Sequence, residues 1–260
     1  MTTAAKKFIL LTYGLFWTFI LLIALIMVLT GSPQPSNLLQ IIAAWAPTFV
    51  VLLFWKRLRP GSSVKQFIFD NFKTPLNGKT FSLLISVQAV IFVCSILLST
   101  VLLKKPINEL VILTPGFLLF SMFDHVVRGP IGEELGWRGF LLGELEKNFS
   151  SLYASIILGI VWAFWHLPLW LISGYSGVDL FEYMLFFIIW CIAMSIIITR
   201  LCKWNPTILI PMLFHFFSNY FLGLQTSEVL FLLKISTPLY VIAAIIFGIS
   251  LYRKEAVDKI

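Results

Sequence analysis

Glu133 and Glu134 lie side by side in the run Glu133-Glu134-Leu135-Gly136-Trp137-Arg138, inside a chain that otherwise avoids charge. On a helix, Glu134 and Arg138 are one turn apart and can pair, whereas Glu133 is turned away by about 100°. That geometry separates two tasks: one carboxylate is held by the guanidinium, and the other is free to meet water as a general base. His166 sits in the apolar run Trp162-Ala163-Phe164-Trp165-His166-Leu167-Pro168, one turn after Trp162. His215 and Asn219 are another pair at turn spacing, in a segment of Phe, Leu, Ile and Met. Projecting to one face, a His and an Asn can donate two hydrogen bonds to a developing oxyanion, the stabilisation that often dominates acyl transfer. Each feature has a plain structural alternative: capping acids with a satisfied arginine, a core histidine on a carbonyl, or interhelical hydrogen bonding. Together they read as one polar site at membrane depth, where ionisable groups are costly and usually functional. The third histidine, His125, matches no interpretable spacing and is read as structural, with the adjacent Asp124 facing Arg128 at four residues.

The elements that must position these groups are membrane helices. Of 260 residues, 59% are hydrophobic and 12% charged, with a mean hydropathy of +0.95, against about 25% charged in soluble domains. The expected fold class is all-α, a polytopic membrane helical bundle with about eight transmembrane helices, since a crossing takes roughly 20 apolar residues. The candidate segments are 8–29, 38–55, 81–103, 111–127, 152–173, 181–201, 207–224 and 236–252. The first follows Lys6 and Lys7 like a signal peptide, but its length and the lack of a small-residue cleavage pattern predict a retained span. Residues 1–109 form N-terminal spans, 110–225 the motif-bearing core and 226–260 a last span and tail, in one integrated domain.

With both termini on one side, every one of the 19 Lys and Arg except Lys104, Lys105 and Lys234 falls on that side, which makes it cytoplasmic. The loops 31–37 and 174–179 hold no basic residue. The expected location is integral to a cell membrane with both termini cytoplasmic. A net charge of +7 spread beside span ends points to lipid headgroups of the bilayer as partner, and no nucleic acid is expected. Cys94, Cys191 and Cys202 lack metal spacing and carry no assigned chemistry. The connection 56–79 mixes basic residues with Phe67, Ile68, Phe69 and Phe72; it can lie along the membrane surface or stand as a solvated loop with a few anchors. Gly129-Pro130 ends one helix and starts another, placing both glutamates in a first turn, where free N–H groups favour carboxylates. Depth poses a conflict: His166 lies past the middle of its segment, and Glu133 at the cytoplasmic end of the preceding one. They meet only if the glutamate helix re-enters the bundle or the boundaries shift.

In this order, the motifs resemble those of the CPBP family of intramembrane metalloproteases, which includes type II CAAX prenyl endopeptidases and the bacterial Abi group of bacteriocin-processing and immunity proteins. The family's paired glutamates and arginine match Glu133, Glu134 and Arg138. Its aromatic and histidine match Trp162 and His166, with Trp where Phe is more usual, and its histidine with Asn or Asp matches His215 and Asn219. The likeness covers roughly 115–222. It implies that Glu133 and His166 hold and activate a water, that His215 and Asn219 stabilise the tetrahedral oxyanion, and that Glu134 with Arg138 orients the site. Glu133, His166 and His215 could hold a divalent metal such as zinc, but the His-Glu-x-x-His spacing of common zinc proteases is absent, so no obligatory cofactor is expected. The implied function is an intramembrane endopeptidase with a cavity open to the cytoplasmic side. Its partner would be a peptide or membrane-anchored protein substrate: a prenylated tail, a bacteriocin leader or an anchored regulator. Two alternatives stand beside it. One is a proton- or ion-coupled transporter, although neither the repeats nor the paired broken helices of that class are visible. The other is a non-catalytic immunity or scaffold protein that keeps the motifs.

Overall fold

In a computed structural model, the described residues are 1–31 and 37–257, apart from the side chains of Asn37 and 254–257. Most of the loop 31–37, the Lys254 side chain and Lys259 in the tail thus lie outside the described residues. The elements are α1 (Thr3–Thr30), α2 (Asn37–Ala44), α3 (Ala46–Leu58), α4 (Val64–Phe72), α5 (Gly78–Leu103), α6 (Ile107–Leu110), α7 (Pro115–Arg128) and α8 (Pro130–Glu134). A π-helical turn, Leu135–Leu141, leads into α9 (Leu142–Glu146), α10 (Ser151–Trp165), α11 (Leu167–Leu171), α12 (Gly177–Trp204), α13 (Leu209–Gly223) and α14 (Val229–Val257). No strand occurs among the described residues; Val111 and Gln225 form an isolated bridge.

The protein is an all-α membrane bundle. α1, α5, α12 and the stretch Val229–Arg253 of α14 are each long and apolar enough to cross a bilayer, and α2 with α3 has the length and hydropathy of a further span only when taken together across a 51° bend. α10 and α13 are apolar but shorter. All eight expected segments are helical, yet only four are long unbroken spans: 38–55 is bent, 207–224 holds the 15-residue α13, and two more depart further. The segment 111–127 becomes helical only at Pro115 and runs 14 residues. The segment 152–173 breaks at His166, whose backbone sits at φ −79°, ψ 1°, because Pro168 has no N–H to give the carbonyl of Phe164 and crowds the turn.

That break frees carbonyls at the end of α10. The Tyr13 hydroxyl donates to Val161 O, the Trp17 indole N–H to Trp165 O at 3.0 Å, and His166 Nδ1 to Trp162 O at 2.9 Å. α1 is thereby fastened to the segment bearing His166, with Phe16 and Trp165 rings 4.0 Å apart.

The bundle has two distinct ends. At one, Glu144 accepts from Thr2 Oγ1 at 2.8 Å and pairs with Arg59 and with Lys147 at 2.7 Å. Lys203 meets Glu146 there at 2.7 Å, and the Asn77 N–H donates to Asn205 Oδ1 at 2.8 Å. At the opposite end, Ile112 N–H donates to Leu224 O at 2.9 Å, Leu230 N–H to Tyr175 Oη at 3.1 Å, and Lys234 pairs with Glu182 at 2.5 Å. Arg128 and Arg138, counted above with the cytoplasmic charge, belong to no loop: both lie within the helical bundle, since each is committed to carboxylates on its own helix. In the 56–79 connection, Phe67 packs on Trp55 at 4.7 Å while Phe69 and Phe72 stay exposed, and α4 buries no residue fully.

The glutamate-bearing strip runs against α3 at backbone contact. A Cβ added at Gly136 would lie 2.5 Å from Pro47 Cβ and 2.7 Å from the Pro47 carbonyl carbon, so the two backbones would have to part. Gly136→Ala is expected to destabilise the bundle by about 1–3 kcal/mol, read as a lowered melting temperature in detergent. An unchanged melt would show that this contact does not hold the strip.

Candidate active site

Pro130 opens α8, and the Glu133 N–H donates to Gly129 O at 2.8 Å, closing the first turn. From Leu135 the chain widens into the π-helical turn, a form common at functional sites. It is buried at Leu135, Gly136, Trp137 and Arg138. The depth conflict is resolved here: the glutamate strip is part of the bundle interior, packed on α3, α7 and α13, and the break at His166 leaves that ring at the matching level.

Glu134 is fully buried and held on two sides. Arg138 Nη1 reaches its carboxylate oxygens at 2.9 and 3.1 Å, as the four-residue spacing predicts, and His215 Nδ1 reaches Oε1 at 2.7 Å. Arg138 Nη2 donates onward to Ser195 Oγ at 2.9 Å, and its guanidinium lies 4.5 Å from the Trp162 ring centroid. A charge shielded this completely serves to fix its neighbours.

Glu133 points the other way. Its Oε2 accepts from the Trp162 indole at 2.7 Å and the Trp137 indole at 3.3 Å, leaving Oε1 without a protein partner among the described residues. Both histidines are oriented through Nδ1. A backbone carbonyl can only accept, so the 2.9 Å contact from His166 to Trp162 O puts its proton on Nδ1 and leaves Nε2 with the lone pair. The Glu134 carboxylate orients His215 through Nδ1 in turn, with Nε2 on the cavity side beside Gly129.

Glu133, His166, His215 and Asn219 line one cavity of about 290 Å³. Glu134 and Arg138 are absent from the lining and stand behind the wall. A Cβ added at Gly129 would lie 3.2 Å from both His215 Nε2 and Asn219 Nδ2, which places those two nitrogens around a common point beside a bare backbone. The lining continues through Trp170 and Tyr183 to Val229 and Leu233, and none of it comes from the end bearing Glu144, Lys203 and Asn77.

Sequence reasoning passed over several of these neighbours. His125, set aside as structural, joins Gln40 and Arg128 in the cavity lining. His125 Nδ1 is 2.7 Å from Ser121 O, and Arg128 pairs with Asp124 at 2.7 Å and also donates to Gln40. The scarcity of histidine was the available signal for His125. No signal marked Ser195, whose role comes from a distant helix, whereas Trp137 stands one turn after Glu133, a spacing visible in the sequence.

Among the described residues no three His, Cys, Asp or Glu side chains gather closely enough to hold an ion; the Nδ1 bonds of His166 and His215 still leave each Nε2, with Glu133 Oε1, as a donor toward the cavity.

Comparison with known proteins agrees with the placement of these motifs. Residues 114–221 match the family model described as type II CAAX prenyl endopeptidase Rce1-like. A stretch of 92 residues is 38% identical to CAAX prenyl protease 2 of Methanococcus maripaludis, covering 34% of this chain and 34% of that protein. The chain thus spans about a third of the length of the curated relative it matches. The segment 114–221, which brings the paired glutamates, two histidines and the asparagine to one site, is similar to type II CAAX prenyl endopeptidases of the Rce1-like group.

Proposed function

We propose that the protein is an intramembrane endopeptidase that hydrolyses a peptide bond in the cavity shared by Glu133, His166, His215 and Asn219. That convergence on one void is the observation that carries the reading. A water held between Glu133 Oε1 and His166 Nε2 attacks the carbonyl carbon while Glu133 takes its proton. The oxyanion accepts from Asn219 Nδ2 and from His215 Nε2, protonated beside the Glu134 carboxylate. The tetrahedral centre collapses as the protonated Glu133 passes its proton to the departing amine nitrogen and the C–N bond breaks. Glu134 and Arg138 position His215 and touch no reacting atom. No step needs a metal, so cleavage should persist in a chelator. The relative named a CAAX prenyl protease makes a membrane-anchored peptide the first substrate class to try.

Purified protein in detergent, given a panel of peptides with and without a prenyl group, tests the proposal against Glu133→Ala, His166→Ala and His215→Ala. Cleavage surviving all three removes the site assignment. Proton-coupled flux in liposomes with no cleavage turns the reading to a transporter.

Trp162 supplies a finer test. Trp162→Phe deletes the 2.7 Å bond to Glu133 and leaves the weaker Trp137 donor. Losing one hydrogen bond to a charged group costs about 1.5–3 kcal/mol, so kcat should fall roughly 10- to 100-fold with KM little changed. An unaltered kcat would show that the indole does not position the carboxylate.

A further inference from the structure

Two glycines mark where α7 and α13 run against each other in opposite directions. A Cβ added at Gly129 would lie 3.2 Å from His215 Nε2 and Asn219 Nδ2, and one added at Gly223 would lie 2.7 Å from both Cε1 and Nε2 of His125. His125 stands one turn before Gly129 along α7, and Gly223 one turn after Asn219 along α13. The seam thus has two rungs, about 6 Å apart at a helical rise of roughly 1.5 Å per residue. One rung is the oxyanion pair at Gly129, and the other is His125 at Gly223. His125, Gly129, His215 and Asn219 all line the same cavity. The His125 ring is fixed as that of His166 is. Its Nδ1 meets the Ser121 carbonyl, four residues back, at 2.7 Å, just as His166 Nδ1 meets Trp162 O at 2.9 Å. A carbonyl only accepts, so the proton sits on Nδ1 and Nε2 carries the lone pair. Among the described residues that Nε2 has no hydrogen bond. Arg128, paired with Asp124 at 2.7 Å and donating to Gln40, stands beside it in the lining.

A peptide entering this cavity takes its backbone N–H groups out of water, and each one left without an acceptor is costly. The side chains of Phe16, Ile20, Leu169, Trp170, Phe187 and Leu233 in the walls supply no acceptor. Glu133 Oε1 and His166 Nε2 are engaged by the attacking water. His125 Nε2 is an acceptor that the reaction does not use. An extended peptide advances roughly 3.3–3.6 Å per residue, so a rung about 6 Å from the carbonyl under attack falls at the second residue from the scissile bond. Resting on the peptidase reading above, we infer that His125 is a substrate-binding residue whose Nε2 accepts the backbone N–H of that second residue. The bond lays the peptide along the seam of α7 and α13 and brings the scissile carbonyl to Gly129. Because it is made to the backbone, it tolerates any side chain at that position and rejects proline, which has no N–H.

The test pairs one atom of the enzyme with one atom of the substrate. From the peptide panel above, the member that the parent chain cleaves fastest is remade with each backbone N–H near the cut replaced in turn by an ester oxygen. The scissile amide is kept, and cleavage is scored at that bond. One ester, at the second residue from the cut, should lower kcat/KM about ten-fold, the worth of one such hydrogen bond. The change should fall mainly on KM, since the bond is present in ground state and transition state alike. His125→Phe should lose a similar factor on the all-amide peptide and be indifferent to that ester. His125→Gln, which offers an acceptor oxygen, should recover most of the loss. If the ring only packs, the two losses multiply and the ester costs His125→Phe as much as it costs the parent chain. That result overturns the inference, as does a parent chain indifferent to every ester. Should His125→Phe fail to fold, Gly223→Ala, whose Cβ would push the ring aside, takes its place in the same comparison. Absence of cleavage of every all-amide peptide by the parent chain defeats the peptidase reading, and the inference with it.

Discussion

Glu133→Gln is expected to reduce kcat by about 10²–10⁴, the range assigned to a positioned general base, while the protein stays folded. Gln matches Glu in size, and its carbonyl oxygen can still accept from Trp162 at the place where Oε2 now sits 2.7 Å from the indole. What the amide lacks is the proton-accepting oxygen that faces the cavity. The loss should therefore fall on kcat, with peptide binding retained and a melting temperature close to that of the parent chain. Cleavage at a rate within a few-fold of the parent would move the base to another group, His166 Nε2 being the one the geometry offers. The conservative swap is the sharper experiment because Glu133→Ala also strands two buried indole donors, and a fall in stability would then confuse the reading.

The second large effect is expected at His215. His215→Ala removes one of two donors to the oxyanion, for which about 10²–10³ in kcat is the usual cost. It also leaves Glu134 with Arg138 alone after losing a 2.7 Å partner. Both kcat and the melting temperature should fall. Asn219→Ala shares only the first consequence, since no hydrogen bond ties Asn219 to the Glu134–Arg138 pair. Comparing the two separates oxyanion stabilisation from packing of the floor. Groups that act on one oxygen are not additive, so the double variant should lose less than the product of the single losses. A full product would mean that His215 and Asn219 serve different atoms and that the oxyanion assignment is wrong.

Much of this was legible in the sequence because it is local. Pro130 dictates a helix start, four-residue spacing dictates the Glu134–Arg138 and Asp124–Arg128 pairs, and apolar runs of the right length dictate membrane helices. What escaped was set by contacts between elements far apart in the chain. Trp162 looks like a core residue until its indole is found on the same Glu133 carboxylate oxygen as that of Trp137, one turn from the glutamate. Ser195 is an ordinary polar residue in a span until α12 brings it to Arg138. Pattern alone counted Arg128 and Arg138 as loop charge, since nothing in composition says that a helix between two spans is swallowed by the bundle.

The bonds from Tyr13 and Trp17 to the broken end of α10 bear on any attempt to isolate the catalytic machinery. A fragment cut to 110–225 keeps every motif residue but leaves the carbonyls of Val161 and Trp165 bare toward lipid, and Trp165 without the Phe16 ring that now stacks on it. The His166 hinge would then keep its Trp162 and Phe187 contacts but lose the support of α1. The motif-free first helix is thus a splint for the active centre, and supplying it in trans should restore an excised core more effectively than any change within the motifs.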